Sequence, residues 1–347
     1  MNPRLSVMTA IRGGVFTRAD ARACGYPDPD IDALLATGGW RRIRPGRYAA
    51  FRELAVVTDE TLHLRRTFHV LRRHPGATVS HQSAAALHAL PLWGLDLSTV
   101  HLTVGSRAAS ATTAEVVERE PGHGEVLRHV RDPVGPGVLV WNTLRLVSPS
   151  RAVVEVAATC PPAAALAVAD AALYAGLTTT TALRRAADHL PDGVDRAHRV
   201  IAHATGESAS VAESRLRLIL ADVGLPKPSS LPPPGVDADQ LACSLWFPAE
   251  RTVVEFEAHR PYRTAADDES PTALTAYLAE AADRAFGVPR PGLPVDPSPA
   301  GYCWISWAEL DDPPGVVDRV RGTFAQAVRA TAVRALDPGR RARRPAR

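Results

Sequence analysis

Two glutamates in one predicted strand are the residues whose spacing most directly suggests chemistry. The pattern of residues 252–259 predicts a β-strand, in which Glu255 and Glu257 stand two positions apart. Side chains alternate along a strand, so both carboxylates share one face, roughly 6–7 Å apart at the ~3.3 Å rise per residue. Like charges this close are unfavourable unless a cation or an arginine lies between them. The pair therefore indicates either a Mg²⁺ site or a salt-bridged strand face.

The preceding strand should supply a third carboxylate if that metal site is complete. A predicted strand at residues 241–247 leads into a short turn at 248–250, and it offers Ser244 at the facing position. A hydroxyl in place of a carboxylate removes a charged oxygen ligand from Mg²⁺, a hard cation that takes several. Asp237 and Asp239, upstream of this strand, are an alternative source of the ligand. The sequence leaves that alternative open.

Two further candidates flank the pair. Glu213 follows Ser210 by three residues, the spacing of a capping box, so it is a helix cap, a metal ligand or both. His259 is either a surface or core histidine or a catalytic acid or base. A salt-bridged remnant and a working metal site are the two interpretations of this region.

These elements and a predicted strand at residues 301–307 resemble, in their order, the very-short-patch-repair-like endonucleases of the PD-(D/E)xK superfamily. That family has a helix glutamate, an Asp-Leu-x-Trp-Pro strand, a Glu-Tyr-Asp-Gly strand with a following histidine, and a late Gly-Trp-x-Val-Leu-Arg strand. Glu213, Glu255 and His259 match the pattern. The resemblance implies that these three and Glu257 are catalytic, with Mg²⁺ held by Glu255 and Glu257.

The departures from the family pattern fall on the chemistry. Ser244 stands at the Asp position, Glu257 with Ala258 replaces the Asp-Gly pair, and Ser306 stands at the late Arg position. Lys227, the only lysine, lies in a proline-rich loop before the strands, so the superfamily's catalytic lysine has no counterpart. That loss removes a positive donor for the developing phosphate charge. We therefore predict a degenerate, inactive nuclease-like domain.

A second set of candidate residues consists of arginines near the N-terminus. Residues 1–55 contain nine arginines and five acids, a net charge of +4 in a chain whose total is +3. The candidate DNA-binding residues are Arg18, Arg22, Arg41, Arg42, Arg44 and Arg47. The last four alternate with Ile43 in a predicted hairpin, so at least three face solvent, where they suit phosphate contacts. Arg18 and Arg22, at i and i+4 of a predicted helix, are explained equally well by a solvated helix face.

Two helices and a hairpin would position these arginines. Helices are predicted at residues 17–23 and 28–37, followed by two strands around a Pro-Gly turn within 40–49. This is the layout of a winged helix-turn-helix. Residues 14–18 and 45–49 also resemble the two ends of the N-terminal domain of AbiEi-like type IV antitoxins. That resemblance implies double-stranded DNA and a cognate toxin protein as partners.

Residues 56–205 are predicted to form an α/β segment followed by a run of helices, and they resemble the rest of the same antitoxins. The predicted strands are 99–104, which alternates as a half-buried strand, 125–130 and 138–147. Ser80 is expected to cap the helix that follows it. His81 and His101 have no acid at a useful spacing in the sequence. We interpret both as core or polar-face histidines.

Composition excludes several protein classes. No run of 18 apolar residues suggests a membrane span, and the N-terminus lacks the apolar core of a signal peptide, so a cytoplasmic location is expected. The four cysteines lie far apart without CxxC spacing, which argues for reduced core cysteines over a zinc or disulfide framework. The last eight residues contain five arginines. They are expected to form either a solvating tail or a contact for an anionic partner.

These patterns predict an α+β protein: an N-terminal winged helix-turn-helix, an α/β middle domain with a helical run, and a C-terminal restriction-endonuclease-like α/β/α domain. The predicted segments are 1–55, 56–205, 206–335 and a basic disordered tail at 336–347. One hypothesis is a non-enzymatic DNA-binding regulator or antitoxin-like protein without a cofactor, whose C-terminal domain serves homodimerisation, toxin contact or DNA grip. The alternative is a Mg²⁺-dependent DNA endonuclease that uses Glu213, Glu255 and Glu257.

Overall fold

The computed structural model describes residues 2–11, 15–50, 58–105, 114–120, 124–130, 137–141, 144–229, 244–256 and 300–336. These residues form a mixed α+β protein, as the sequence predicts, and no sheet among them closes into a barrel. They divide into two compact units, one within residues 2–206 and the other within 207–336. Every helix in the described ranges is too short or too polar to span a membrane.

The first 50 residues form three helices and a hairpin around a core of their own. The elements are α1 (Pro3–Ile11), α2 (Arg18–Ala23), α3 (Asp28–Ala36), β1 (Trp40–Arg44) and β2 (Arg47–Ala50). Thr17 caps α2: its Oγ1 accepts from the Asp20 N–H at 3.1 Å, and Asp20 Oδ2 accepts from the Thr17 N–H at 2.8 Å. Phe16, Ile31 and Trp40 lie at the centre of the core. This part confirms the two predicted helices and the hairpin and adds α1.

The rest of the first unit is a six-stranded sheet with helices. Its strands are β3 (Thr78–Val79), β4 (Thr99–Val104), β5 (Ala114–Glu120), β6 (Gly124–Val130), β7 (Val138–Trp141) and β8 (Leu144–Val147). Its helices are α4 (Asp59–Arg73), α5 (His81–Leu87), α6 (Pro149–Thr159), α7 (Pro162–Tyr174), α8 (Thr180–Ala187) and α9 (Val194–His203). The strand order is β5-β6-β4-β3-β8-β7, with β4 parallel to β6 and β3 parallel to β8.

Two expectations for this sheet are wrong. The segment at 138–147, expected to be one strand, forms the antiparallel pair β7 and β8. Strand β4 was expected to be half-buried, but all four of its central residues are buried. Helices α4 and α5 both pack against β4, and the polar residues His101 and Thr103 are buried together with Val100 and Leu102.

The second unit contains a three-stranded sheet and two longer helices. The elements are α10 (Val211–Asp222), β9 (Ser244–Phe247), β10 (Thr252–Phe256), β11 (Gly301–Ile305), a 3₁₀ helix (Ala308–Asp311) and α11 (Pro313–Leu336). Strand β10 lies between β9, its antiparallel neighbour, and β11, its parallel neighbour. Val254 and Ile305 of the sheet form one buried cluster with Leu216 of α10 and Val320 of α11.

Several residues singled out in the sequence lie outside the described part of the chain. They are Asp237, Asp239, Cys243, Glu257, Ala258, His259 and residues 337–347, which are the predicted tail except for Leu336, the last residue of α11. The cysteines that the structure does describe, Cys24, Cys160 and Cys303, are buried free thiols, as expected.

Candidate functional site

The hairpin of β1 and β2 exposes two of the candidate DNA-binding arginines. Arg41 and Arg42 are exposed, and within the described residues neither forms an ion pair. Arg47 is half-buried. Arg44 pairs with Arg47 in the register of the hairpin, and its side chain lies outside the described part. Two exposed guanidinium groups on consecutive residues of one hairpin strand suit an anionic partner.

Aromatic packing and backbone hydrogen bonds fix the hairpin to the rest of the unit. The Trp40 ring centroid lies 4.7 Å from that of Phe16 and 4.9 Å from that of Tyr26, both in edge-to-face geometry. Phe16 and Tyr48 exchange two backbone hydrogen bonds of 2.9 Å. These contacts fix the position of the hairpin that carries the arginines.

Arg18 and Arg22, the two candidates on α2, have carboxylate partners on α3. Asp28 accepts from Arg18 Nε at 2.6 Å and from Arg22 Nη2 at 2.7 Å. Asp32 accepts from Arg18 Nη2 at 2.5 Å. The hydrogen bonds from Arg22 and Arg18 lower the pKa of Asp28 below its usual value. The positive charge of this helix face is thus partly neutralised within the protein.

The six-stranded sheet gathers three buried histidines that lie far apart in the sequence. His81 is the first residue of α5, His101 lies in β4 and His129 lies in β6. In the register of β4 and β6, His101 pairs with Leu127 and Thr103 with His129, so both histidines point to the same face. Helix α5 packs against β4 and brings His81 to them. One nitrogen from each ring lies within 4.8 Å of the other two.

Two of these histidines belong to a hydrogen-bonded chain. His101 Nε2 accepts from Gln82 Nε2 at 2.7 Å, and His101 Nδ1 donates to His129 Nε2 at 3.1 Å. His129 Nδ1 donates to Glu115 Oε1 at 3.0 Å. This direction gives each imidazole one N–H, the neutral form. Burial, and then the neighbouring His129 and His63, lower the pKa of His101 to about 3, so His101 is neutral at neutral pH.

A buried carboxylate holds His81 in a backbone conformation that is unusual for a residue with a side chain. Its φ is +52°, in the left-handed region, which costs about 1–2 kcal/mol. Glu155, 1% exposed, accepts the His81 N–H at 3.0 Å and binds Arg151 Nε at 2.9 Å. The Ser80 side chain, expected to cap α5, makes no capping bond there. The His81 ring stacks on that of His129, with centroids 3.9 Å apart.

His81 and His101 are buried, as interpreted from the sequence, and tertiary contacts add acids that no local spacing indicates. Glu155 contacts His81 across 74 residues, and Glu115 contacts His129 across 14. His129 is not singled out by the sequence. The sequence shows a polar face on β4, formed by Thr99, His101 and Thr103. Only the pairing of β4 with β6 shows that His129 lies on that face.

In the second unit, Glu213 serves as a cap at the start of α10. Its Oε2 accepts from the Ala209 N–H at 2.7 Å, and Ser210 Oγ accepts from the Glu213 N–H at 3.2 Å. Glu213 is buried, with 7% of its surface exposed. This is the structural role that the capping-box spacing indicated.

Glu255 pairs with Ser244 across β10 and β9, the facing position that the sequence indicated. Its neighbour Val254 belongs to the buried cluster that contains Leu216 of α10, so alternation directs Glu255 to the opposite face of the sheet. The helix that carries Glu213, α10, packs on the Val254 face of β10 through Leu216. Among the described candidates, the structure does not gather a set of carboxylates on one face.

Comparisons with known proteins leave the family of this chain open. No protein-family model matches it, and no curated protein matches it as a relative. The function is therefore argued from the geometry of these three regions.

Proposed function

We propose that this chain is a DNA-binding regulator of the antitoxin-like kind, with the N-terminal hairpin as the wing of a winged helix-turn-helix. The observation that carries the proposal is the exposure of Arg41 and Arg42 on a hairpin anchored by Trp40. Arginine binds phosphate through a planar fork of N–H donors, and phosphate contacts supply much of the affinity for duplex DNA. The antitoxin part, with its toxin partner, rests on the resemblance at residues 14–18 and 45–49.

The helix and hairpin arginines differ in their availability for phosphate. Arg18 and Arg22 already donate to Asp28 and would have to exchange that carboxylate for DNA. Arg41 and Arg42 make no such exchange, since within the described residues they form no ion pair. We therefore assign the principal phosphate contacts to the hairpin.

We propose further that the second unit is nuclease-like but inactive. The Glu213 carboxylate caps its own helix, and Glu255 faces Ser244 where a third carboxylate is needed. A hard cation such as Mg²⁺ is held poorly without several charged oxygens. Such a unit would serve dimerisation, toxin contact or DNA grip. The endonuclease alternative uses Glu213, Glu255 and Glu257, with Asp237 or Asp239 in place of the missing ligand.

The salt dependence of binding to a duplex of arbitrary sequence tests the hairpin. Arg41→Ala with Arg42→Ala should weaken binding and reduce the slope of log K against log salt by about 1–2 units, because each lost phosphate contact releases one counterion fewer. The matched control is Arg184→Ala with Arg185→Ala, which removes the same charge from exposed positions of α8. An unchanged slope in the hairpin variant, or an equal change in the control, would remove the hairpin from the interface.

Incubation of the protein with DNA and Mg²⁺ or Mn²⁺ tests the inactive nuclease. We expect no cleavage that depends on Glu255. Cleavage by the wild-type protein that Glu255→Gln abolishes would establish the endonuclease alternative. Cleavage that persists unchanged in that variant comes from a contaminating nuclease.

A further inference from the structure

We propose that His81, His101 and His129 bind one divalent first-row transition-metal ion, with Zn²⁺ as the best fit. Each ring offers one nitrogen, and these nitrogens lie within 4.8 Å of one another. The three residues are buried, with exposures of 3%, 8% and 4%. Imidazole nitrogen suits zinc, copper, nickel and iron, whereas Mg²⁺ and Ca²⁺ prefer oxygen ligands. The three histidines therefore suit a different ion from the Mg²⁺ considered for Glu255 and Glu257.

The outer nitrogens of two rings already have the partners expected around a metal ion. His129 Nδ1 donates to Glu115 Oε1 at 3.0 Å. His81 Nδ1 lies 3.1 Å from Ser80 Oγ and 3.5 Å from Glu155 Oε2. Metal-binding histidines typically donate their second N–H to a carboxylate or another acceptor, which fixes the tautomer and turns the other nitrogen to the ion. Nε2 is therefore the ligand atom of both His81 and His129.

His101 becomes a ligand through one proton shift. Its Nδ1 now donates to His129 Nε2, and its Nε2 accepts from Gln82. Moving the proton from Nδ1 to Nε2 leaves a lone pair on Nδ1 for the ion. A half-turn of the Gln82 amide then lets Oε1 accept the new N–H. The turn gives up the 3.3 Å contact from Gln82 Nε2 to the Asp96 carbonyl.

Buried oxygens without partners lie on the same face as the cluster. Within the described residues, Gln82 Oε1, Thr78 Oγ1 and Thr103 Oγ1 are buried and have no hydrogen-bond partner. Thr103 pairs with His129 on one side and with Thr78 on the other, so both hydroxyls belong to the histidine face. Buried polar atoms nearly always have a partner, and exceptions point to a bound ion or water. In the metal-bound form the His101 Nε2–H would supply a partner for Gln82 Oε1, and a water on the ion would supply one for the threonine hydroxyls.

One nitrogen–nitrogen distance already fits a tetrahedral ion, and the His81 ring closes the rest of the site by rotation. With Zn–N bonds of about 2.0–2.1 Å, the ligand nitrogens of such a site lie about 3.3–3.4 Å apart. His101 Nδ1 and His129 Nε2 are already 3.1 Å apart. The His81 ring, stacked 3.9 Å from that of His129, reaches the ion by turning about its side-chain bonds. Three histidines leave the fourth position for water, a known arrangement of zinc sites.

Zinc titration of the full chain tests this site. The protein is purified without a polyhistidine tag, stripped with a chelator and titrated against a chromophoric competitor. We expect one Zn²⁺ per chain in the wild type, an affinity about tenfold lower in Glu115→Gln, and a larger loss in His129→Ala. The matched control is His88→Gln, at the far end of α5, where His88 Nε2 bonds the Val147 carbonyl at 2.7 Å; it should bind like the wild type.

Equal zinc affinity in the wild type and His129→Ala would overturn the proposal. X-ray absorption of the zinc-loaded wild type should show imidazole scattering, and coordination by oxygen or sulfur alone would equally overturn it. Circular dichroism checks the fold of each variant, and if His129→Ala does not fold, Glu115→Gln and the wild-type spectrum decide. The outcome is independent of the DNA-binding proposal, since the two tests use different residues.

Discussion

In the six-stranded sheet, β4 and β6 carry His101 and His129 on one face, and α5 adds His81. In the three-stranded sheet, β10 carries Glu255 opposite Ser244, and the helix that carries Glu213 packs on the Val254 face of β10. Neighbouring elements gather the histidines of the first arrangement, whereas among the described residues the position facing Glu255 holds a serine. The spacing of polar residues along one strand therefore indicates a site only together with the strands and helices that face it.

Burial separates the two arrangements further. Glu155 is 1% exposed and holds Arg151 and the His81 N–H, whereas Glu255 is half-buried. A charge in the interior is unfavourable unless it is paired and hydrogen-bonded, so the position of Glu155 depends on its partners. Part of the Glu255 side chain is in contact with solvent, so its charge depends less on hydrogen bonds from neighbouring residues.

The largest expected effect comes from removing the buried carboxylate. Glu155→Ala should lower the free energy of unfolding by about 3–5 kcal/mol, because it breaks a buried ion pair and leaves the Arg151 charge without its partner. The His81 N–H also loses its acceptor. Chemical denaturation followed by circular dichroism measures the loss.

A carboxylate at the surface of the same sheet provides the control for this prediction. Glu125 pairs with Arg119 at 3.0 Å, with both side chains exposed, so Glu125→Ala should cost about 0–1 kcal/mol. If Glu155→Ala cost no more than this control, the contrast between a buried and an exposed carboxylate would fail.

An intermediate effect is expected from Ser244→Asp, which places a carboxylate opposite Glu255. Without Mg²⁺ the facing charges should destabilise the second unit by about 0.2–1 kcal/mol. Added Mg²⁺ should raise the melting temperature of this variant, because an ion that binds the folded state stabilises it. Ser244→Asn is the uncharged control. If both variants responded to Mg²⁺ alike, a carboxylate at position 244 would not be the ligand that binds Mg²⁺.

The smallest effect concerns an exposed carboxylate with cationic partners, Asp28. Arg22 and then Arg18 lower the pKa of Asp28 in the folded protein. A lowered pKa stabilises the fold at pH values above the unfolded pKa, and this stabilisation disappears as the pH falls through the folded pKa. In an NMR titration, Arg22→Ala should raise the pKa of Asp28 toward its ordinary value. Arg184→Ala should leave it unchanged, and an unmoved Asp28 in Arg22→Ala would contradict the assigned cause.

The sequence determined the local structure wherever the interacting residues all lie in one short segment. Local spacing indicated the helix that starts after Thr17 and the cap that Glu213 forms at α10. The hairpin turn follows from Pro45 and from Gly46, whose φ is +71°. These bonds join residues within about four positions, so local spacing is sufficient to predict them.

Tertiary structure alone decided the composition of the sites. The register of β4 with β6 placed His129 beside His101, and the packing of α5 and α6 brought Glu155 to His81 across 74 residues. The docking of α3 on α2 likewise paired Arg18 with Asp28. None of these contacts follows from one segment, because strand order and helix docking are set by burial of the whole core, and the same local pattern is compatible with many partners.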